Sequence, residues 1–481
     1  MRYYVLSHIM KDILKSKFTR KYLLNQFDKS LYNALVKNAT RNLVETQKKK
    51  YHFLSTMLKA SVSNLEQGYF SEKVFRRIIN VLVENAFLAK EKYKDKLEQF
   101  REEYGDYPPT FLVVSPTQAC NLTCEGCYAA SGTEAKPSIP YHIFDRIISE
   151  ARDKLHNRFI TISGGEPFIY KSEGKTLMDI IEKYNDMFFL VYTNGTLITQ
   201  ELAERMAGAG NVTPAISVEG FEKETDARRG EGTHRRVLQA FENLRNAGVP
   251  FGISVTATSD NAGILLDDKF YEYFFDRERA IYMWQFQLMP IGRSNKAFEK
   301  MVPPEKRVEF YRKWDEMITN EKYCVADFWN SGVLSNGCLA YGRRGGYLHI
   351  DWNGNIMPCV FVPYYVDNIY DLYNNGKTLV DALFSDFMKN GRKWIDDYGM
   401  RNPKEAKNWL MPCSIRDHYA NFRENILPEN AKPENEQARE SLEDDNYYKN
   451  LVLYDDRLEE LTGDIWEKEY LKKESTVEQN R

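Results

Sequence analysis

Six short apolar runs, each ending in polar or glycine-rich residues, restrict the fold of this chain more than any other feature. They are Thr110–Ser115, Phe159–Ser163, Phe188–Tyr192, Thr213–Val218, Gly252–Ala257 and Trp284–Leu288, with helical stretches such as Thr176–Asp186, Thr199–Ala209 and His234–Ala247 between them. Runs of five or six mostly apolar residues alternating with helices at roughly thirty-residue intervals call for a parallel sheet built from right-handed crossovers. A full eight-stranded barrel takes about 250 residues, and the six units here span fewer. The expected fold class is α/β, a partial (β/α)6 TIM-like barrel.

Chemistry in such folds collects at the carboxyl ends of the strands. Cys120, Cys124 and Cys127 follow the first strand with spacing C-x3-C-x2-C. Three thiolates on one loop can hold three irons of a cubane cluster and leave the fourth without a protein ligand. A structural zinc wants four closed ligands, and no histidine or fourth cysteine lies nearby. A disulfide framework fits poorly with a chain of 481 residues and an odd count of seven cysteines. The second strand runs into Gly164-Gly165-Glu166-Pro167, where two glycines let a ligand approach the backbone.

In motif, order and spacing the chain resembles the radical S-adenosylmethionine (SAM) enzymes. The resemblance implies that Cys120, Cys124 and Cys127 ligate a [4Fe-4S] cluster whose open iron is chelated by SAM, and that Gly164, Gly165 and Glu166 help to seat SAM. It also implies SAM contacts at Ser217, at Glu219 and at Arg228 or Arg229, with Thr193 and Asn194 as weaker candidates. A hydroxyl or carboxylate suits ribose and a guanidinium suits a carboxylate. One departure stands out: the aromatic residue usual before the third cysteine is Gly126 here, and Tyr128 is the candidate replacement beside adenine.

Beyond the barrel, Cys338 is followed by fifteen residues, Gly354, four residues and Cys359. This resembles the hairpin of the auxiliary-cluster regions called SPASM and Twitch. Tyr347–Asp351 and Asn355–Met357 read as two strands around an Asn353-Gly354 turn, which brings both cysteines together. By the resemblance Cys413 is the third ligand of one auxiliary [4Fe-4S] cluster. Its fourth ligand stays open: Cys324, a non-cysteine group or an open iron. Asp351, Tyr347 and Arg293 are further candidates near the two clusters, with no assigned role.

The expected division is a helical region at 1–107, a barrel at 108–300, an auxiliary-cluster region at 301–427 and an acidic helix and tail at 428–481. With 43% hydrophobic residues, no apolar run long enough to span a membrane and no signal-like amino terminus, the expectation is a cytoplasmic protein. Residues 1–60 carry thirteen Lys or Arg against three Asp or Glu, with apolar positions Ile13, Phe18, Leu23 and Phe27 at helical spacing. Such helices suit peripheral contact with anionic lipid, or are simply solvated. A further helix is expected over Val74–Ala89. A net charge of −3 and no base-reading motif argue against nucleic acid.

The expected activity is reductive cleavage of SAM to a 5′-deoxyadenosyl radical for C–H activation, giving an oxidation, a crosslink or another modification. A flavodoxin or ferredoxin would be the reductant. The substrate is open between a peptide and a lipid or small metabolite. The competing class is a non-catalytic iron-sulfur electron carrier on the same barrel.

Overall fold

The computed structural model describes residues 20–38, 42–81, 93–134, 136–402 and 405–472. Six parallel strands form the center: β1 (Leu112–Val114), β2 (Phe159–Ile162), β3 (Phe188–Thr193), β4 (Val212–Val218), β5 (Gly252–Ala257) and β6 (Met283–Gln287). They pair in sequence order, as right-handed crossovers dictate. Helices α1 (Tyr141–Asp153), α2 (Leu177–Lys183), α3 (Gln200–Ala209) and α4 (Thr233–Ala247) cover the outside. Strand residues of one parity, among them Ile160, Ile162, Phe189, Val191, Ile253 and Val255, are fully buried in the core. Residues of the other parity face inward.

The sheet continues past these six strands at both edges. β7 (Val325–Asp327) pairs parallel with β6, Gln285 opposite Asp327, and β8 (His349–Ile350) pairs parallel with β1, Val113 opposite His349. β8 and β9 (Asn355–Met357) form the antiparallel hairpin read from the sequence, and β10 (Asp367–Asn368) closes the row. β7 and β8 do not pair with each other, so the barrel is partial. The hairpin is thus part of the barrel sheet. Its turn is held by Asp351, whose carboxylate accepts from the backbone N–H of Asn353 and Asn355.

At the other end of the barrel, α5 (Arg20–Tyr32), α6 (Val44–Glu66) and the helix Glu72–Ile78 share a small core of Phe27, Leu31, Leu58, Val62, Val74 and Phe75 with Ile281 from the base of β6. Three of the basic residues here are matched internally: Arg20 with Glu72, Lys49 with Asp315, and Lys59 with Asp28 and Glu321. Ile13, Phe18 and residues 82–89 lie outside the described residues, as does the tail from 473. The acidic segment contributes α7 (Asp445–Ile465), which packs on α8 (Pro304–Thr319). Among the described residues no helix is long and apolar enough to cross a membrane.

Candidate functional site

The cysteine loop is clamped at the strand ends from three sides. Gly165 and Glu166 donate their backbone N–H to Thr117 O and Ala119 O, both at 2.8 Å, and Glu125 N donates to the Arg228 carbonyl at 2.9 Å. After β6, Arg293 donates its backbone N–H to Cys127 O at 3.0 Å and its guanidinium to Cys124 O at 2.5 Å and to Ser131 O. Arg293 therefore fixes the loop rather than facing a substrate alone. Gly292 beside it has φ +57°, and a side chain there would strike Tyr128 O at 2.1 Å.

The loop opens onto a cavity of about 370 Å³ inside the barrel. All three cysteines line it, with Tyr128, Gly164, Gly165, Thr193, Asn194, Ser217, Arg228 and Arg229. The wall below consists of alternate strand residues: Val113, Phe159 and Thr161, Leu190 and Tyr192, Ser254 and Thr256, Trp284 and Phe286. The two-residue period of a strand is what presents them together. Burial pushes the Cys120 thiol up to about 12, so its thiolate needs a cationic partner. Asn194 Nδ2 lies 3.7 Å from the Cys120 sulfur and Arg229 Nη1 lies 3.9 Å from that of Cys124.

Two of the expected SAM contacts, Glu166 and Glu219, do not line this first cavity. Glu166 is fully buried, and its carboxylate accepts from Thr193 Oγ1 and Asn194 N, each at 2.8 Å, and from Phe168 N at 3.1 Å. Glu219 is buried, accepts from both Arg228 and Arg229, and takes the Thr256 N–H at 3.2 Å. Each carboxylate shapes groups that do reach the cavity. Tyr128 bonds Ser163 Oγ at 2.7 Å. Gly126 has φ +64°, and a Cβ there would meet Leu288 at 3.1 Å, so an aromatic side chain does not fit this loop geometry. A second cavity of about 300 Å³, lined by Glu219, Asn261, Thr258 and Lys300 among others, shares Gly126, Arg228 and Leu288 with the first.

Cys338, Cys359 and Cys413 line one small cavity of about 30 Å³. Burial pushes each of these thiols up to about 12. Among the described residues no group of three or more His, Cys, Asp or Glu closes on a single metal ion. Neither triad therefore has the close tetrahedral convergence of a zinc site. Two buried donors reach the thiols of the second triad: Trp329 Nε1 bonds the Cys413 sulfur, and Tyr347 Oη lies 2.9 Å from Cys359 Sγ. An anionic cluster between the thiolates would match them. Cys324 lines neither cavity; its sulfur lies 3.9 Å from Phe53 O.

Sequence reasoning missed a buried polar chain linking the two sites. Gln287 and Gln285 donate to Asp327, which also accepts from Asn330 Nδ2 at 2.9 Å. Arg307 donates to Asn330 and to both oxygens of Asp417, and Asp417 accepts the Cys413 N–H at 3.1 Å. The one available signal was Gln285 and Gln287 alternating in an otherwise buried strand, since buried amides need partners. Arg307 on an amphipathic helix gave none.

Residues 114–261 match the radical SAM superfamily. The mycofactocin maturase MftC of Mycobacterium ulcerans (strain Agy99) is 29% identical over 335 residues, covering 68% of this chain and 85% of that protein. An AdoMet-dependent heme synthase of Methanosarcina barkeri (strain Fusaro / DSM 804) is 26% identical over 350 residues, covering 66% and 91%. Streptococcus suis SuiB bound to precursor peptide SuiA is similar in structure, with a TM-score of 0.49, 19% identity and coverage of 63% and 70%. The matched segment, residues 114–261, holds the cysteine loop, the Gly-Gly-Glu-Pro turn and the Arg228–Arg229 pair. The chain is a radical SAM enzyme, and the cofactors its relatives support are SAM, the [4Fe-4S] cluster that binds it and an auxiliary cluster.

Proposed function

We propose that Cys120, Cys124 and Cys127 hold the SAM-binding cluster, that Cys338, Cys359 and Cys413 hold the auxiliary cluster, and that the substrate is a peptide. The observation that carries this is the placement of the two triads. The first opens on the central cavity, and the second lies directly behind it, with Phe328, Leu339 and Tyr347 lining both spaces. When bound, the first cluster and SAM supply a 5′-deoxyadenosyl radical that abstracts hydrogen from a C–H bond.

The chain's own residues bind and orient. Arg228 and Arg229, fixed by Glu219, present positive charge toward the cysteine loop, where a carboxylate of SAM would bind. The second cavity, which shares Gly126, Arg228 and Leu288 with the first, would take the nucleoside. The aromatic wall of Trp284, Phe286, Phe328 and Phe361 excludes water from the reacting side chain. A cavity of about 370 Å³ suits one amino-acid side chain inserted from a longer peptide. Relatives named as maturases support this, including the sporulation killing factor maturation protein SkfB of Bacillus subtilis (strain 168), 24% identical over 257 residues. The division into a helical region, a barrel, an auxiliary region and an acidic helix at 107, 300 and 427 remains our proposal for the unit boundaries.

The test is anaerobic reconstitution with iron and sulfide, dithionite reduction, addition of SAM and a chromatographic assay for 5′-deoxyadenosine. We expect about eight irons per chain, from two cubanes, and 5′-deoxyadenosine that disappears in Cys124→Ala. Iron without SAM cleavage would favour an electron carrier.

A further inference from the structure

The surroundings of the carboxyl-terminal cysteine triad hold more hydrogen-bond donors and positive charge than the protein itself uses. Tyr347 Oη lies 2.9 Å from Cys359 Sγ. Once Cys359 is a ligating thiolate, only the phenol can donate. The Trp329 indole N–H lines the same small cavity and points to the Cys413 sulfur, with no oxygen acceptor among the described residues. Behind it, the Arg416 guanidinium stacks over the Trp329 ring at 4.7 Å and over Tyr454 at 5.1 Å. Among the described residues its Nη2 bonds Tyr454 Oη at 2.8 Å, its Nε and Nη1 have no acceptor, and no carboxylate pairs with it. The backbone N–H of Ala340 adds a donor to Cys338 at 3.5 Å.

A buried cation without a counter-ion is costly unless something anionic lies nearby. Donors to cluster sulfur and fixed positive charge both favour the reduced, more negative state of an iron-sulfur cluster. Resting on the ligand assignment above, we infer that Tyr347, Trp329 and Arg416 hold the auxiliary cluster at a raised reduction potential, poised to accept electrons. Tyr347 is the member that also faces the central cavity, where its ring stacks on Phe111 at 5.1 Å. It is a positioning residue that ties the potential to the substrate wall.

The experiment is an EPR-monitored redox titration of the auxiliary cluster in a background lacking the first one, Cys120→Ala with Cys124→Ala and Cys127→Ala. Tyr347→Phe keeps the ring and removes the donor. We expect unchanged iron content and a midpoint shifted to more negative potential, with a larger shift in the same direction for Arg416→Met. In deuterated water, the deuteron coupled to the cluster at Cys359 should disappear in Tyr347→Phe. An unchanged midpoint in Tyr347→Phe with the cluster retained would overturn the inference, and so would loss of the cluster in that variant, because the hydroxyl would then serve assembly. Adding Cys359→Ala to the background tests the ligand assignment separately: iron and signal retained there would overturn the proposed site, whatever the potentials.

Discussion

Gly165→Ala tests how the barrel positions the cysteine loop. A Cβ on Gly165 would sit 2.1 Å from Ala119 O and 2.6 Å from Gln118 O. Real Cβ contacts stay beyond 3.0 Å, so the two segments must part by roughly 1 Å in a close-packed interior. Both obstacles are backbone, and no side chain can swing aside. The parting breaks the two bonds from Gly165 N and Glu166 N that clamp the loop, at a cost of about 1–3 kcal/mol for the pair. Misplacing a reacting center by about 1 Å costs on the order of 100-fold in rate. The expected result is 5′-deoxyadenosine formation reduced about 100-fold while the auxiliary cluster, measured as residual iron, is retained. Gly208→Ala is the control: it sits on α3 with nothing within 4 Å of the new methyl, and helix propensity favours alanine there by about 0.5–1 kcal/mol. Wild-type turnover by Gly165→Ala would show that the GGEP turn does not set the loop.

Four other substitutions probe separate parts of the argument. Glu219→Gln leaves Arg228 and Arg229 without their shared counter-charge, a loss of about 3–5 kcal/mol for a buried pair, so both Tm and SAM affinity by calorimetry should fall. Gly126→Phe forces a bulky residue to φ +64°, a strain of about 1–2 kcal/mol, and crowds the lining that the two cavities share; SAM binding should weaken at least about tenfold beyond that strain. Asp417→Asn removes the charge paired with Arg307 and weakens the bond to Cys413 N; iron analysis should show loss of the auxiliary cluster with the first retained. Burial pushes the Asp455 carboxyl up to about 9. The native state then keeps a proton that the unfolded chain releases near 4, so this group's contribution is full at low pH and is lost as pH rises from about 4 to about 9. Asp455→Asn should flatten the fall in Tm across that window, and an unchanged pH profile would count against the buried, protonated carboxyl.

The six central strands were legible because their apolar runs, glycine-rich ends and intervening helical periodicity all agree. β7 was not, since Val325-Ala-Asp327 is three residues long and carries no alternation. The hairpin was readable from Asn353-Gly354, yet its parallel pairing with β1 was not, because local signals say nothing about which distant edge a strand joins. Likewise, the types of the SAM-site residues could be named while their depth could not. The carboxylates of Glu166 and Glu219 bond Thr193, Asn194 and the arginine pair, contacts that no local sequence signal announces. The basic amino-terminal helices read as a solvated face or one for anionic lipid, and the pairing of Arg20, Lys49 and Lys59 with Glu72, Asp315, Asp28 and Glu321 could not be read from their spacing.

The buried polar chain from Gln287 to Cys413 explains why the barrel and the auxiliary region share one sheet and one core. Gln287 lines the central cavity, and because Asp327 can only accept, the amide must turn its Nε2 toward Asp327 at 3.1–3.2 Å. Its Oε1 is then left buried without a donor, which is costly unless a bound group supplies one. From Asp327 the chain continues through a local bond to Asn330 and then through Arg307 to Asp417, the last two contacts crossing between segments distant in sequence. Such networks are stable only when fully satisfied. A substrate N–H reaching Gln287 would complete the chain at one end, just as a ligated Cys413 completes it at the other.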